Sequence, residues 1–400
     1  MWRGYAGGSP HSRGLRGAPL KHGDAVRHHW NLDPDVAFCN NGSFGATPIP
    51  VMEAQRALRD EMERQPVAFH MGIGPRIRAV ADVLGDVVGA DGRDLVFVDN
   101  ATAGVNTVLA SLEPRPGDVW LTTSHVYNAV RQAMRHFAGR GGAKVVEADL
   151  PFPTPSPDAV LDALKAAWTP AVRLVVIDHI TSATGLVFPV ERVVAWCREV
   201  GAKVLVDSAH VPGQIPFDLN ALGADWVVAN CHKWLFTPKG CALLWVRREL
   251  QANLHPLVIS HGYGLGFHEE FDWVGTKDPT PWLAIPASIG FLRGLGGVEA
   301  LGATQRMLRR EAAAHILGVW GTKAPAPDGM LAALQTLEPP FQAEPEMAPA
   351  IHDALLERHG VEVPVFPFGG RVWIRISAQI YTRASDWARL AVAVDANGVR

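Results

Sequence analysis

Seven short runs of apolar residues recur between positions 94 and 250 of the 400-residue chain. The runs are rich in Val, Ile and Leu, and they occupy residues 95–98, 119–122, 144–147, 173–177, 203–206, 226–229 and 242–246. Continuous apolar runs of this length, bounded by polar residues, are typical of strands that are buried on both faces. The pattern therefore predicts a seven-stranded sheet.

Stretches with helical periodicity separate most of these runs, as at residues 129–138, 158–168 and 190–200. Alternation of strands and helices favours an α/β fold with a largely parallel sheet and helices on both faces. Too few residues separate the last two runs to form a helix between them. The last strand is therefore predicted to run antiparallel to its neighbour.

The pattern changes on either side of this region. Before it, helical spacing predicts helices at residues 51–71 and 76–88. After it, the sequence predicts long helices at 283–295 and 298–317, a Pro-rich segment at 325–349, a strand at 371–376 and a helix at 384–394. At 400 residues the chain exceeds the usual size of one hydrophobic core. We predict a flexible tail at residues 1–30, a large domain at 31–281 that includes a Gly- and Asn-rich loop at 38–50, and a smaller C-terminal α+β domain at 282–400.

The composition is that of an ordinary globular protein, with 48% apolar and 19% charged residues. The formal net charge is −3, and basic residues form no long run outside the first residues. We therefore expect a small-molecule ligand and neither nucleic acid nor membrane as a partner. The four cysteines lack the spacing of a metal site or a disulfide framework, which predicts free thiols, no bound metal and a cytoplasmic location.

Polar residues follow three of the predicted strands, at the sheet edge where ligands of α/β proteins bind. Residues 100–106 open a helix whose N-terminus suits a phosphate, although helix capping by Asn100 or Thr102 is the simpler explanation of that segment alone. Asp207 follows a buried run and requires a cation or a donor, which an N-cap or a salt bridge would also satisfy. Lys233 follows the sixth run, beside His232 and Trp234, where its amine is expected to lose solvation.

These residues match the three anchor points of pyridoxal 5'-phosphate (PLP), which are the ring nitrogen, the aldehyde carbon and the phosphate. Asp207 would face the protonated pyridine nitrogen, and the desolvated amine of Lys233 would bond to the aldehyde carbon. The phosphate would lie at the start of the helix that follows Asn100. The three features together are far more specific than any one of them, and they predict a PLP enzyme.

The sequence resembles the class V aminotransferase-like enzymes of PLP fold type I, which include the cysteine desulfurases, and within them the isopenicillin N epimerase-like proteins. The resemblance spans residues 40–382, and its strongest segments are 41–45, 179–185, 207–213, 232–234, 275–278 and 375–378. It implies a seven-stranded, mostly parallel sheet in the large domain, with PLP bound covalently to Lys233, which also moves the substrate proton.

The same resemblance implies further cofactor contacts. His210 corresponds to the residue that bonds the phenolic oxygen, with Ser182 as a second donor, and Tyr127 to the aromatic residue that stacks on the ring. A packed helix residue is the alternative for Tyr127. The remaining implied ligands, on the phosphate, are Thr102, the N–H of Ala103, Asn230 and His232, with Thr276 contributed across the interface of a homodimer with shared active sites.

Arg375 resembles the arginine that binds the substrate α-carboxylate, and Asn40 and Asn41 are expected to line the substrate entrance in the loop at 38–50. A surface position on a strand is the alternative for Arg375, but the preceding apolar pair Val372 and Trp373 favours burial.

Loss of the Cα proton of an amino acid is the shared first step, and the sequence leaves the following step open. Epimerisation is the first expectation, with Tyr127 as the second acid. Elimination by a C–S lyase and transamination or oxidative deamination are the alternatives, and a non-catalytic scaffold is the least favoured one because Lys233 and Asp207 are both present. Desulfurases carry a nucleophilic cysteine before the arginine strand, whereas this chain has no cysteine after Cys241, which disfavours persulfide chemistry.

Overall fold

The computed structural model describes residues 20–395 and 397–399. Its strands are β1 (Ala37–Phe38), β2 (Leu95–Val98), β3 (Val119–Thr123), β4 (Lys144–Ala148), β5 (Val172–Asp178), β6 (Lys203–Asp207), β7 (Trp226–Asn230), β8 (Ala242–Val246), β9 (Leu334–Leu337), β10 (Val361–Glu362), β11 (Val365–Phe368), β12 (Arg371–Ser377), β13 (Val394–Asp395) and β14 (Gly398–Val399).

Helices surround these strands. The α-helices are α1 (Asp24–Arg27), α2 (Asn41–Phe44), α3 (Ile49–Arg64), α4 (Pro66–Met71), α5 (Ile73–Val88), α6 (Ala101–Ala110), α7 (Asn128–Arg140), α8 (Asp158–Ala167), α9 (Val190–Glu199), α10 (Leu219–Leu222), α11 (Cys231–Trp234), α12 (Phe267–Asp272), α13 (Thr280–Leu283), α14 (Ile285–Gly294), α15 (Gly297–Trp320), α16 (Ala348–His359) and α17 (Ala384–Ala393). Single 3₁₀ turns lie at Gly92–Asp94, Asp328–Met330 and Pro345–Met347, and a longer 3₁₀ segment at Arg248–Asn253.

The central sheet has seven strands in the order β2-β8-β7-β6-β5-β3-β4. All seven predicted strands are confirmed, and so is the antiparallel direction of β8, which pairs antiparallel with both β7 and β2. The other pairs are parallel. The carboxyl ends of β5, β6 and β7 therefore meet at one edge of the sheet.

Two apolar layers cover this sheet, one on each face. Val204 and Val206 of β6 point into one layer and Leu205 into the other, because successive side chains of a strand alternate between faces. Between the exposed Lys203 and the buried Asp207 the strand is thus apolar on both faces, which gives the continuous apolar run in the sequence. None of the helices within the described residues is long and apolar enough to span a membrane.

A further apolar core lies around β12, α15, α16 and α17. Its small sheet has the order β11-β12-β9, and β1 pairs with β10 beside it. Ala37 and Cys39 belong to this core, although the predicted boundaries place them in the large domain. We propose that this core is that of the smaller domain, with the segment around β1 joined to it.

The predicted flexible tail, residues 1–30, lies outside the described residues up to position 19. Residues 20–30 differ from the expectation, since Trp30 is buried and donates a hydrogen bond to the carbonyl of Ala46. The N–H of Gly23 also donates to the carbonyl of Ile380. Burial of the Trp30 indole accounts for the order of this segment, because it removes a large apolar surface from water.

Candidate active site

The carboxyl ends of β5, β6 and β7 border a cavity of about 510 Å³. The cavity brings together most of the predicted site residues. Its lining includes Thr102, Tyr127, Ser182, Asp207, His210, Asn230, His232 and Lys233. These residues come from distant parts of the sequence, and the parallel strands bring them to one edge of the sheet.

Lys233 lies in α11, the single helical turn that directly follows β7. The backbone of two glycines of positive φ packs directly against this turn. A Cβ atom at Gly45 would lie 2.2 Å from the carbonyl oxygen of His232, and one at Gly213 would lie 2.2 Å from that of Trp234. Both positions therefore require glycine, for backbone conformation as well as for space. The Nδ2 of Asn41 also donates to the Lys233 carbonyl at 3.3 Å.

The amine of Lys233 contacts His210, with 3.2 Å between Nζ and Nε2. The Trp234 indole N–H donates to the other ring nitrogen of His210, Nδ1, at 3.3 Å. Burial, with the nearby charge of Lys233, holds the pKa of His210 well below its usual value, so the ring is neutral. Because Nδ1 accepts, Nε2 carries the proton and donates to Lys233, which requires an unprotonated amine.

The surroundings of Lys233 favour that neutral form. Burial lowers its pKa to about 8, and the positive charge of Arg375 lowers it further, while Asp207 opposes the shift. A lysine with a pKa near neutrality can act as a nucleophile and as a base. The site thus supplies the unprotonated amine that covalent attachment to PLP requires.

Asp207 is buried at the end of β6, and its Oδ1 accepts the backbone N–H of Ala209 at 2.9 Å. Burial raises the pKa of Asp207, against the opposing effects of that hydrogen bond and of Lys233. A carboxylate in such a place is stabilised by a cation. The protonated nitrogen of a pyridine ring would supply one.

Asp178 is a site residue that the sequence interpretation missed. It ends β5, pairs in register with Asp207 of β6 and lines the same cavity. Burial and the neighbouring Asp207 raise the pKa of Asp178 well above its usual value. Its Oδ2 has no hydrogen-bond partner within the part of the chain that the structure describes. The signal in the sequence was a carboxylate directly after a buried run, as at Asp207.

We expect the cofactor-free Asp178→Asn variant to be more stable than the wild type at pH 7.5, by about 2 °C or more in Tm. Because the pKa of Asp178 is raised in the folded state, the folded protein retains a proton that the unfolded chain has lost. The protonated carboxyl group therefore contributes its full stability below the unfolded pKa, and this contribution is lost as pH rises through the folded pKa. Asparagine keeps the shape and removes the titration.

Thermal unfolding between pH 5 and pH 8 measures this effect. The stability gap between variant and wild type should widen as pH rises, and exposed Asp162→Asn should show no such gap. A gap of constant size, or a less stable variant at pH 7.5, would refute the shared burial of the two carboxyl groups.

The start of α6 forms the end of the cavity that was predicted to bind phosphate. Asn100 caps the helix, and its Oδ1 accepts the N–H of Ala103 at 2.9 Å. Asn230 Oδ1 accepts the N–H of Ala101 at 2.8 Å and so ties β7 to this helix. Contact between the Ala103 N–H and phosphate therefore requires the Asn100 side chain to turn away, and it stays a prediction, as does the role of Thr102, which lines the cavity.

Two further basic side chains line the cavity. The Nδ1 of His232 donates to the carbonyl of Cys241 at 2.9 Å, and burial lowers the pKa of His232 to about 4. Its Nε2 is then an acceptor, and it becomes a donor to phosphate only once the ring is protonated. Lys239 also lines the cavity and was not predicted. Its amine provides a further positive charge for a phosphate.

Arg375 is buried on β12 and lines an adjoining cavity. Its Nη1 donates to the carbonyl and hydroxyl oxygens of Ser182, and its Nη2 donates to the Ser43 hydroxyl at 3.3 Å. Its Nε has no hydrogen-bond partner among the described residues. Burial lowers the pKa of Arg375 to about 10, which still leaves it charged at neutral pH. A fixed, charged guanidinium suits a substrate carboxylate.

The remaining predicted residues lie apart from the cavity wall. Asn40 donates to Glu362 Oε1 at 2.7 Å, and Asn41 accepts the Tyr381 hydroxyl at 2.7 Å, while Ser43 and Phe44 of the same loop line the cavity instead. Thr276 is exposed, as its predicted contact with a second subunit would require. Neither Asn40 nor Asn41 lines the cavity in these positions, so their direct contact with a substrate stays a prediction.

The residues of the cavity fit PLP. An amine of lowered pKa suits the aldehyde of PLP, and a buried carboxylate suits its ring nitrogen. The start of a helix, with basic groups in the same cavity, suits its phosphate. Asp207, Lys233 and the segment that begins at Asn100 would hold these three groups, while His210 is placed to donate to the phenolic oxygen. When bound, PLP supplies an electron sink for a bond to Cα.

Comparison with known proteins agrees with this interpretation. The sequence profile of the aminotransferase class-V family matches residues 57–323. A putative L-cysteine desulfhydrase 1 of Oryza sativa subsp. japonica is 34% identical, over 92% of this chain and 84% of the rice protein. The isopenicillin N epimerase of Amycolatopsis lactamdurans is 30% identical, over 92% of this chain and 97% of its own.

A solved structure shares the fold. A variant of C-DES with glycine covalently linked to its PLP cofactor superposes with a TM-score of 0.78 at 21% identity, covering 92% of this chain and 98% of that one. The predicted fold, α/β with PLP fold type I architecture, is thereby confirmed.

Proposed function

The chain belongs to the aminotransferase class-V family of PLP-dependent enzymes, and from this premise we propose that it is a lyase that cleaves the C–S bond of a cysteine-derived amino acid. The observation that carries the proposal is the amine of Lys233, whose pKa burial lowers to about 8 and which is held beside His210 in a cavity with Asp207. Elimination needs one base at Cα, and this amine supplies it.

Each residue of the site has a part in this reaction. Arg375 binds the α-carboxylate and fixes the amino acid, while Asp207 keeps the pyridine nitrogen protonated. Lys233 removes the Cα proton. The Cβ–S bond then breaks, the sulfur leaves as a thiol or as hydrogen sulfide, and one water molecule completes the conversion of the remainder to pyruvate and ammonia.

Epimerisation is the second candidate, because a relative that is 30% identical is an isopenicillin N epimerase. It requires a second acid that returns the proton to the other side of Cα. Tyr127 lines both the cofactor cavity and the adjoining one, and its side chain is 46% exposed. Its hydroxyl is the group we propose for that role if epimerisation occurs.

We expect the holoenzyme, incubated in deuterated water with L-cysteine and with S-substituted L-cysteines, to release pyruvate and ammonia. The Tyr127→Phe variant should keep at least about a third of this rate, since elimination makes no use of the hydroxyl. Pyruvate is measured enzymatically, and deuterium at Cα by mass spectrometry.

Two other results would contradict the lyase proposal. Deuterium at an inverted Cα without pyruvate would establish epimerisation, and a loss of at least ~100-fold in Tyr127→Phe would then assign the second acid. A keto acid that retains its β substituent would indicate transamination or oxidation instead.

We also propose that the active enzyme is a homodimer with shared active sites. Several apolar side chains are exposed on two segments of the chain, which favours coverage by a second copy. These residues are Phe44, Val67 and Met71 in the first segment and Leu257, Val258, Ile259 and Leu265 in the second. Thr276 follows the second segment and would contact the phosphate of the other subunit.

A further inference from the structure

A second cavity of about 640 Å³ adjoins the cofactor cavity. Tyr127 and Ser182 line both of them, and Arg375 lies on the wall of the second. If Arg375 binds the carboxylate of an amino acid and Lys233 faces its Cα, the side chain of that amino acid still needs a space. The second cavity is the space that opens beside Arg375 and next to the cavity that holds Lys233.

Aromatic rings form a large part of the wall of this cavity. The ring centroid of Phe368 lies 4.7 Å from that of His125 and 5.8 Å from that of Phe152, and all three residues line the cavity. The fully buried Trp373 supports Phe152 from outside the lining, with 4.6 Å between the two ring centroids. Burial lowers the pKa of His125 to about 4, so this imidazole is neutral at physiological pH. These rings give the cavity an apolar surface that favours an apolar or aromatic group, and Asn128, Arg131 and Asp149 supply polar groups elsewhere in its lining.

The chain builds this wall and the carboxylate site from one hairpin. Strands β11 and β12 pair with Phe366 opposite Trp373 and Phe368 opposite Arg371, and Gly369 and Gly370, both of positive φ, close the turn. Arg375 follows on β12. The position of the aromatic wall relative to the guanidinium is thus fixed by strand pairing, as a subsite for selective recognition requires.

The size of the cavity decides which side chain it would hold. Pockets of about 300–1,000 Å³ enclose ligands of drug size, whereas the side chain of cysteine has two heavy atoms. Such a side chain would leave most of the cavity filled with water and its aromatic wall hydrated. A large apolar substituent would displace that water and gain the burial free energy of both surfaces.

We propose that this cavity is a subsite for the β substituent of the substrate, and that the preferred substrates are S-conjugated cysteines that carry an aryl or arylalkyl group on sulfur. The inference rests on the proposed function, since it concerns the leaving group of the same reaction. In that reaction Lys233 takes the proton from Cα, the Cβ–S bond breaks, and the sulfur leaves as an aryl or arylalkyl thiol that accepts this proton.

The test compares S-benzyl-L-cysteine, S-methyl-L-cysteine and L-cysteine with the PLP-loaded enzyme. We expect kcat/KM for the benzyl compound to exceed that for the methyl compound by at least about tenfold, a difference that arises mainly in KM. Phe368→Ala should reduce this preference about tenfold and Phe368→Leu less. Phe137→Ala, which removes a half-buried ring outside the cavity, should leave the ratio unchanged.

Binding is followed in parallel as the change in the visible absorbance of the cofactor on addition of each compound. An unchanged band in the free variants shows that they fold and hold PLP. If the benzyl compound alters the band at a concentration at least tenfold lower than the methyl compound, but no pyruvate forms, the subsite stands and the lyase proposal fails. Equal preference for all three compounds, or a preference that Phe368→Ala leaves intact, overturns the subsite.

Discussion

Replacement of Lys233 by alanine is expected to abolish the visible absorbance band of the holoenzyme and to lower kcat/KM by at least ~1,000-fold. The amine of Lys233 is the group we propose for covalent attachment and for proton removal from Cα, so one substitution removes both functions. Burial and the charge of Arg375 together lower the pKa of this amine to about 8, so far more of it is unprotonated near neutral pH than of an ordinary lysine. No other group in the described part of the cavity duplicates its position beside His210 and Asp207.

Lys239 provides a control for this experiment. Its side chain lines the same cavity, and we propose that its amine contacts the phosphate. We expect Lys239→Ala to keep the visible band, although it will need a higher concentration of PLP for saturation. Loss of the band in Lys239→Ala and its retention in Lys233→Ala would move the covalent linkage to Lys239. A wild-type protein that stays colourless with added PLP would refute the cofactor-binding site itself.

The pH dependence of the reaction should follow the same lysine. A base with a pKa near 8 is deprotonated above that value, so the rate of proton removal in the free enzyme should rise with pH up to about 8. His210 does not compete for this role, because burial holds its pKa well below the working range. Its constant neutral state makes it a fixed hydrogen-bond donor.

The central sheet was readable from the sequence because its strands are buried on both faces. Most of these strands then contain a run of apolar residues, as from Val204 to Val206, and the polar residue that ends such a run marks the sheet edge. Asp207 and Lys233 were found in this manner. Asp178 obeys the same rule, since it directly follows the apolar run at 173–177 and ends β5, but the sequence interpretation did not single it out.

The small sheet was harder to read. Strand β9 (Leu334–Leu337) lies within the Pro-rich segment at 325–349, where the proline content favoured a loop, and β11 contains Pro367. Both are short, and both owe their stability to pairing with β12 rather than to their own composition. Only β12, with its apolar run before Arg375, carried a local signal strong enough to be predicted.

The hydrogen-bond partners of individual side chains could not be predicted from the sequence, for a different reason. Asn41 was expected at the substrate entrance, but it bonds to Tyr381 and to the carbonyl of Lys233, and these partners lie more than 190 positions away along the chain. The Asn100 side chain accepts a hydrogen bond from the N–H of Ala103, which is the helix-capping alternative that the sequence left open. Such contacts follow from tertiary packing, which residue spacing alone does not encode.

Replacement of Arg375 by leucine is expected to raise KM for amino-acid substrates by about 100- to 1,000-fold, while the visible band of the cofactor persists. A charged, desolvated pair between a guanidinium and a carboxylate is strongly stabilising once formed, and removal of one partner leaves the other without compensation. Arg375 is held by Ser182 and Ser43, so binding of a carboxylate there would not require the side chain to become ordered first.

A substrate analogue separates this role from a general effect on the fold. Cysteamine has the amine and the sulfur of cysteine but no carboxylate, so its ability to alter the cofactor absorbance should be nearly equal in wild type and Arg375→Leu. Arg375→Lys should recover only part of the loss, because an ammonium group lacks the planar pair of donors. If Arg375→Leu weakened cysteamine and cysteine by the same factor, the guanidinium would be a structural group rather than the carboxylate site. The position of the aromatic cavity beside it would then no longer define where a substrate side chain lies.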